Sequence, residues 1–96
     1  MREFLVTITT TVPDGTDSAE VDRRWAAEAV RAKELAASGH LVRLWKPAGG
    51  GPTISLWRAD DEAALHSSVL DTLPLREWMT FGVTALDKHP NDPAHE

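Results

Sequence analysis

The alternation of apolar and polar side chains predicts that the chain begins with a β-strand. Phe4–Val12 has mostly apolar residues at its even positions and mostly threonine at its odd ones, the period of two expected of a strand with one better-buried face. A Pro-Asp-Gly turn at 13–15 ends it. Apolar residues spaced by three and four then predict a long helix over Asp17–Ser38, and Gly39 stands where a left-handed helix end is expected.

Two more strands, a helix and a last strand are predicted after this helix. His40–Lys46 and Ile54–Ala59 have strand patterns and are joined by a glycine-rich hairpin loop. A second helix follows, capped by one of two consecutive aspartates and ending near Leu73, and Trp78–Leu86 is the last strand. The order β-α-β-β-α-β predicts an α+β, ferredoxin-like fold, in which two helices cover one face of an antiparallel sheet.

The parity of the predicted strands assigns side chains to the two faces of this sheet. The face toward the helices is predicted to carry Phe4, Val6, Ile8, Val42, Leu44, Ile54, Leu56, Phe81, Val83 and Ala85. The opposite face is mixed but includes Leu41, Trp45, Ser55 and Trp57. Large aromatic side chains on an uncovered face favour a second subunit there, so we expect a homo-oligomer, a dimer or higher. The alternative is partial burial under the C-terminal tail.

Length and composition limit the domain count and the classes of function. The 96 residues predict one domain over 1–96, with an irregular, proline-broken tail from about 88. A net charge of -5 argues against nucleic acid as a main partner. No segment has the pattern of a membrane span or of a signal peptide, so we expect a cytoplasmic protein with no membrane partner. The lack of cysteine excludes thiol chemistry, and no histidine pair has zinc-site spacing.

Glu28 is the first candidate for chemistry because it lies on the apolar stripe of the long helix. It follows Trp25 by three positions and precedes Ala32 by four. A carboxylate desolvated on such a stripe has its pKa raised toward the range of a general base. The alternative, which the spacing alone favours, is a glutamate at the edge of the stripe that reaches water or pairs with Arg24 or Arg31.

Other charged residues offer weaker candidates. Arg43 and Lys46 lie on opposite faces of one predicted strand, and either is suited to hold a carboxylate, although a solvated cation is an equal alternative. His89 precedes a proline in the tail, where it either covers a pocket or has no role. His66 shares a helix face with apolar residues, which favours a packed histidine over a catalyst.

Taken in order, several short motifs resemble the muconolactone delta-isomerase family. They are Val12-Pro13, Glu28, Gly39, Leu44-Trp45-Lys46, Ala64-Leu65-His66, Leu73-Pro74-Leu75 and His89-Pro90. Each motif is weak alone, but the ordered series is fairly specific and covers nearly the whole chain.

The resemblance implies a ferredoxin-like fold, homo-oligomers built from dimers, active sites near subunit contacts, and no metal or organic cofactor. It implies an isomerase that moves a proton and a double bond in a small unsaturated lactone or related carbonyl acid, as in the conversion of muconolactone to 3-oxoadipate enol-lactone. That reaction belongs to the beta-ketoadipate pathway of aromatic compound catabolism. Glu28 matches the family's helical acidic residue, which acts as the proton shuttle. His89 matches its histidine before proline, and Lys46 stands where the family usually has arginine.

The candidate site therefore contains two catalytic residues, Glu28 and His89, and four substrate-binding residues, Lys46, Arg43, Trp45 and Trp25. Characterised members of the family carry a His-Tyr pair where Gly50 and Gly51 stand here, so the substrate is not necessarily muconolactone. Two other functions remain open. One is a dimeric α+β barrel oxygenase or cyclase acting on an aromatic substrate, and the other is a non-catalytic small-molecule binding protein.

Overall fold

The computed structural model describes residues 1–94, which form one four-stranded sheet and its helices. The regular elements are β1 (Arg2–Thr10), α1 (Ser18–Ala37), β2 (Leu41–Trp45), β3 (Thr53–Ala59), α2 (Glu62–Ala64) and β4 (Met79–Leu86). The strands are antiparallel in the order β2-β3-β1-β4. The core joins one face of this sheet to apolar residues of both helical segments. The predicted element order and the ferredoxin-like fold are therefore confirmed.

The helix α1 begins and ends where its sequence predicts. The side chain of Asp17 accepts a hydrogen bond from the backbone N–H of Ala19 at 3.0 Å, which satisfies one of the free donors of the first turn. Gly39 has a φ of 86° and donates its N–H to the carbonyl of Ala36 at 3.1 Å. This left-handed conformation is the one that glycine adopts most readily, so the residue type fixes the end of the helix.

The second predicted helix is a succession of three short helical types. α2 (Glu62–Ala64) continues into a π-helical turn, Leu65–Val69, and then into a 3-10 turn, Leu70–Thr72. Asp61 caps this segment by accepting the N–H of Ala64 at 2.7 Å. Leu65, Val69 and Leu70 are fully buried against the sheet. Packing of these side chains stabilises a segment whose backbone hydrogen bonds change register along its length.

The strand β3 presents the opposite face from the one predicted. Its register pairs Phe4 with Trp57 and Val6 with Ser55, so Trp57 lies in the core and is only 2% exposed. The hydroxyl of Ser55 donates to the carbonyl of Val6 at 2.8 Å and accepts from the indole N–H of Trp57 at 2.7 Å. Because these bonds satisfy both polar groups, the serine is buried rather than turned to solvent.

A β-bulge in β2 changes the direction of its first side chains. The register shifts between Leu41 and Arg43, so Leu41 pairs with Trp57 and joins the core, contrary to the prediction. Val42, predicted for the core face, lies in this irregular stretch and is 37% exposed. Leu44 lies on the predicted face but remains exposed because it borders a cavity.

The face of the sheet away from the helices carries five apolar side chains that are exposed or partly exposed. They are Leu5, Trp45, Ile54, Leu56 and Leu86. Ile54 and Leu56 were predicted for the core face, and the register of β3 places them here instead. Trp45 is therefore the one tryptophan on this face within residues 1–94, since Trp57 is in the core.

The chain after β4 has no helix or strand up to residue 94, and its residues are exposed. The last two residues of the predicted tail lie outside the described residues. Among the helices of residues 1–94, none combines the length and the apolar character that crossing a membrane requires.

Candidate active site

A cavity separates the middle of α1 from the sheet. Leu35, near the end of the helix, is buried in the core, whereas Trp25 is 48% exposed. The cavity has a volume of about 340 Å³, and small-molecule sites typically have about 300–1,000 Å³. Its lining residues are Ile8, Thr10, Trp25, Glu28, Ala29, Ala32, Leu44, Trp45, Lys46, Thr53 and Met79. Three positions of the predicted apolar stripe of α1, Trp25, Ala29 and Ala32, therefore border an open space, although Ala32 also packs against the core.

The structure brings four of the six predicted site residues to this cavity, namely Trp25, Glu28, Trp45 and Lys46. Arg43 is not part of the lining; its guanidinium carbon lies 5.0 Å from the centre of the Trp45 ring. His89 lies in the exposed segment after β4, where its Nδ1 accepts the N–H of Asn91 at 3.0 Å. The contributions of Arg43 and His89 stay predictions, because one chain does not place them at the cavity.

Glu28 is half-buried in the cavity wall, and its carboxylate is held by the main chain. Its Oε1 accepts a hydrogen bond from the backbone N–H of Leu75 at 3.1 Å. Burial raises the pKa of the Glu28 carboxyl above its ordinary value, and the hydrogen bond from Leu75 acts more weakly in the opposite direction. The site thus contains a carboxylate that is more basic than an exposed one and borders an apolar space, as a general base requires.

The face of α1 that carries Glu28 makes three contacts with residues 72–77, the segment ahead of β4. The contacts are Arg24 with Glu77, Glu28 with Leu75, and Arg31 with Thr72. The suggested pairing of Glu28 with Arg24 or Arg31 is therefore wrong, since both guanidinium groups bind other residues. Spacings of four and three along a helix place the three side chains on one face.

Lys46 follows β2 and is the only cation among the described residues that line the cavity. Most of the remaining wall is apolar, with threonine hydroxyls supplied by Thr10 and Thr53. The Lys46 side chain is exposed, and its positive charge beside the cavity attracts an anionic ligand group. Within residues 1–94, no group of three or more histidine, aspartate or glutamate side chains is placed to hold a metal ion.

Two parts of the site were missed from the sequence. The first is the backbone N–H of Leu75, which no side-chain pattern can reveal; only the Leu-Pro-Leu motif marked that place in the chain. The second is the pair of threonines, Thr10 and Thr53. The register pairs Ile8 with Thr53, and Thr10 continues the even-numbered face of β1, so the strand alternation was the signal that could have found them.

A half-buried carboxylate beside an apolar cavity on a ferredoxin-like sheet is a site suited to proton transfer at carbon. The family model described as muconolactone delta-isomerase matches residues 2–92. The muconolactone delta-isomerase of Pseudomonas aeruginosa is 32% identical over 92% of this chain and 91% of the relative. Muconolactone delta-isomerase 1 of Acinetobacter lwoffii is 30% identical over the same shares.

The fold comparison agrees with these sequence matches. A crystal structure of muconolactone isomerase aligns with a TM-score of 0.85 and 29% identity, covering 98% of this chain and 97% of that one. The chain belongs to the muconolactone delta-isomerase family.

Proposed function

We propose that the protein is an isomerase that needs no metal or organic cofactor and moves a proton and a double bond within a small unsaturated lactone or related carbonyl acid. Within this class, the specific reaction we propose is the conversion of muconolactone to 3-oxoadipate enol-lactone. The observation that carries the proposal is Glu28, a half-buried carboxylate in the wall of an apolar cavity. Membership of the muconolactone delta-isomerase family supports it.

In this proposal Glu28 acts as a single proton shuttle. Its carboxylate takes the proton from the γ-carbon of an α,β-unsaturated lactone, and the C–H electron pair spreads through the double bond onto the carbonyl oxygen. The protonated Glu28 then returns the proton to the α-carbon, so that the double bond moves and the carboxylate is restored. The step involves neither oxidation nor a second reactant. A pKa above the ordinary glutamate value favours the first transfer, because it makes the base stronger.

The other cavity residues bind and orient the substrate. Lys46 attracts the substrate carboxylate, while Trp25 contributes to the wall that surrounds its apolar part. Trp45 borders the cavity at the end of β2, although its ring lies on the outer face of the sheet beside Arg43. Arg43 as a second carboxylate-binding residue and His89 as an assisting residue complete the set proposed from the sequence. Both lie outside the cavity of one chain, so their participation requires a rearranged tail or a second subunit.

We also propose that the protein is a homo-oligomer, a dimer or higher, in the cytoplasm. The observation in support is the apolar sheet face that includes Leu5, Leu56 and Trp45 and has both helical segments on its other side. Light scattering of the purified protein tests the assembly: we expect a mass at least twice that of one chain, and a strictly monomeric protein would contradict the proposal.

Neither alternative function gains support from the structure. The oxygenase or cyclase hypothesis was based on a sheet face with two tryptophans and on the missing lactone-binding residues, and the first ground is weakened because Trp57 is in the core. The non-catalytic hypothesis expected an apolar pocket without a buried ionisable group, whereas Glu28 is half-buried in the cavity wall.

Proton NMR of muconolactone incubated with the protein in D₂O tests the proposed reaction. We expect protein-dependent loss of the substrate signal, appearance of the enol-lactone, and a rate well above that of an incubation without protein. If neither muconolactone nor a panel of substituted unsaturated lactones reacts faster than in buffer, the proposal is wrong.

A further inference from the structure

The bond between Glu28 and Leu75 lies between two other contacts that join the same pair of segments. We call these contacts the outer pairs: Arg24 with Glu77, and Arg31 with Thr72. None of the four residues lines the cavity. Leu75 lies three positions after Thr72 and two before Glu77, so its N–H belongs to a stretch of chain that is attached to α1 at both ends.

Each outer pair has further contacts that fix its geometry. The guanidinium of Arg24 also binds Glu20 at 3.1 Å and stacks over the ring of Trp78 at 4.4 Å. In the other pair, Nε and Nη2 of Arg31 both donate to Thr72 Oγ1, at 3.2 and 2.9 Å. The Thr72 hydroxyl in turn donates to the carbonyl of Val69 at 2.6 Å.

We propose that the two outer pairs are positioning residues that hold the N–H of Leu75 against the Glu28 carboxylate. The inference rests on the proposed function, in which Glu28 is the base, and adds residues that act on it through the main chain. A backbone N–H cannot be reoriented by rotating a side chain. Its direction therefore depends on the contacts that hold the flanking residues in place. An error of about 1 Å in the position of a reacting group can cost about a hundredfold in rate.

The charged groups near Glu28 determine which substitutions give a clear result. On the elements around it these are Arg24 and Arg31 on α1, Arg76 and Glu77 ahead of β4, and Lys46 after β2. The three arginines also pair with other carboxylates, namely Glu20, Glu34 and Asp71 respectively for Arg24, Arg31 and Arg76. Removing one of these charges would change the Glu28 pKa by direct electrostatics, whatever happens to Leu75. Thr72→Val and Arg31→Lys leave the net charge unchanged. Thr72→Val removes the hydroxyl that accepts both hydrogen bonds from Arg31. Arg31→Lys replaces the guanidinium, which donates through two nitrogens, by a single ammonium group.

Thr16→Val is the matched control for the threonine substitution. The Thr16 hydroxyl donates to the carbonyl of Pro13 at 2.6 Å, the same local bond that Thr72 makes to Val69. Thr16 does not line the cavity and makes no contact with Arg31. The two substitutions therefore differ in the loss of the bond to the arginine.

The experiment is a carbon-13 NMR titration of the Glu28 side-chain carboxyl in the full chain, followed by steady-state kinetics. For Thr72→Val and Arg31→Lys we expect the Glu28 pKa to rise, because the Leu75 donor that opposes the effect of burial is displaced. We expect kcat to fall roughly tenfold with little change in KM. In the double variant kcat should fall no further than in the single variants. Thr16→Val should have the Glu28 pKa and the kcat of the wild type.

The titration separates the failure of this inference from the failure of the proposed function, since it requires no substrate. An unchanged Glu28 titration in both variants, or an equal shift in Thr16→Val, overturns the inference. A shift in the expected direction supports it even if Glu28→Gln retains full turnover, which would contradict the proposed function alone. If Thr72→Val does not fold, Arg31→Lys decides the outcome.

Discussion

The Oε1 atom of Glu28 accepts a hydrogen bond at 3.1 Å from the backbone N–H of Leu75, a residue 47 positions further along the chain. The bond joins α1 to the turn ahead of β4 and fixes one oxygen of the carboxylate at the edge of the cavity. It favours the ionised carboxylate, whereas burial disfavours it more strongly. Glu28 is therefore fixed in place and still more basic than an exposed glutamate, two properties that a proton shuttle needs together.

The raised pKa of Glu28 predicts how turnover depends on pH. A general base acts only when it is ionised, so kcat/KM should fall as the pH drops through the Glu28 pKa of the free enzyme. We expect this acid limb to be centred above about 4.3, the value of an ordinary glutamate. Rates measured at constant ionic strength from about pH 4 to 8 check it. A limb centred at or below the ordinary value would show that the group controlling the rate is not a desolvated carboxyl.

Replacing Lys46 by methionine should weaken substrate binding without preventing the chemistry. The ammonium group attracts the substrate carboxylate in the ground state and the transition state alike, so KM should rise about tenfold while kcat changes little. The difference from wild type should shrink as salt is added, because salt screens the attraction. Lys33→Met, on the exposed side of α1 and away from the cavity, is the control. Equal effects of the two substitutions would exclude a specific role for Lys46.

The corrected orientation of β3 predicts that Trp57 and Trp25 respond differently to truncation. Trp57 is in the core, so Trp57→Ala should lower the free energy of unfolding by about 3–5 kcal/mol. Urea denaturation of the variant and the wild type measures this difference.

Trp25→Ala is the matched control, since Trp25 is half-exposed at the cavity. Its effect on stability should stay within about 0.5 kcal/mol, as for most surface substitutions, while KM rises. Similar losses of stability in the two variants would contradict the assignment of Trp57 to the core and Trp25 to the cavity wall.

Local sequence signals predicted the elements that depend on near neighbours. The Asp17 cap and the left-handed Gly39 lie within a few residues of the backbone groups they satisfy, and α1 ends as predicted. The orientation of β3 depends instead on Ser55, whose hydroxyl bonds to a carbonyl 49 positions away. An alternation pattern cannot reveal a hydrogen bond between residues so far apart in the sequence. Without knowledge of this bond, a serine in a strand predicts a face that is turned to solvent. The β-bulge after Leu41 reversed the neighbouring prediction in a similar way.

The candidate site shows the same difference between features that depend on near neighbours and features that depend on distant residues. The helical spacing of Glu28 predicted a carboxylate on an apolar stripe, and the structure places it half-buried at the cavity with Trp25, Trp45 and Lys46. Its partner is a main-chain N–H from a distant turn, which side-chain patterns do not encode. The alternative partners, Arg24 and Arg31, were reasonable on spacing, but both reach across to residues ahead of β4.

The turnover of Glu28→Gln tests the central claim most directly. Glutamine keeps the size of the side chain, and its amide oxygen can still accept the N–H of Leu75, but the amide cannot take up a proton from carbon. Asp22→Asn, an exposed change from carboxyl to amide on the same helix, is the control. With muconolactone or the lactone that the wild type converts, we predict that kcat falls about 10²–10⁴-fold in Glu28→Gln and is unchanged in Asp22→Asn. Wild-type turnover by a folded Glu28→Gln protein would contradict the account.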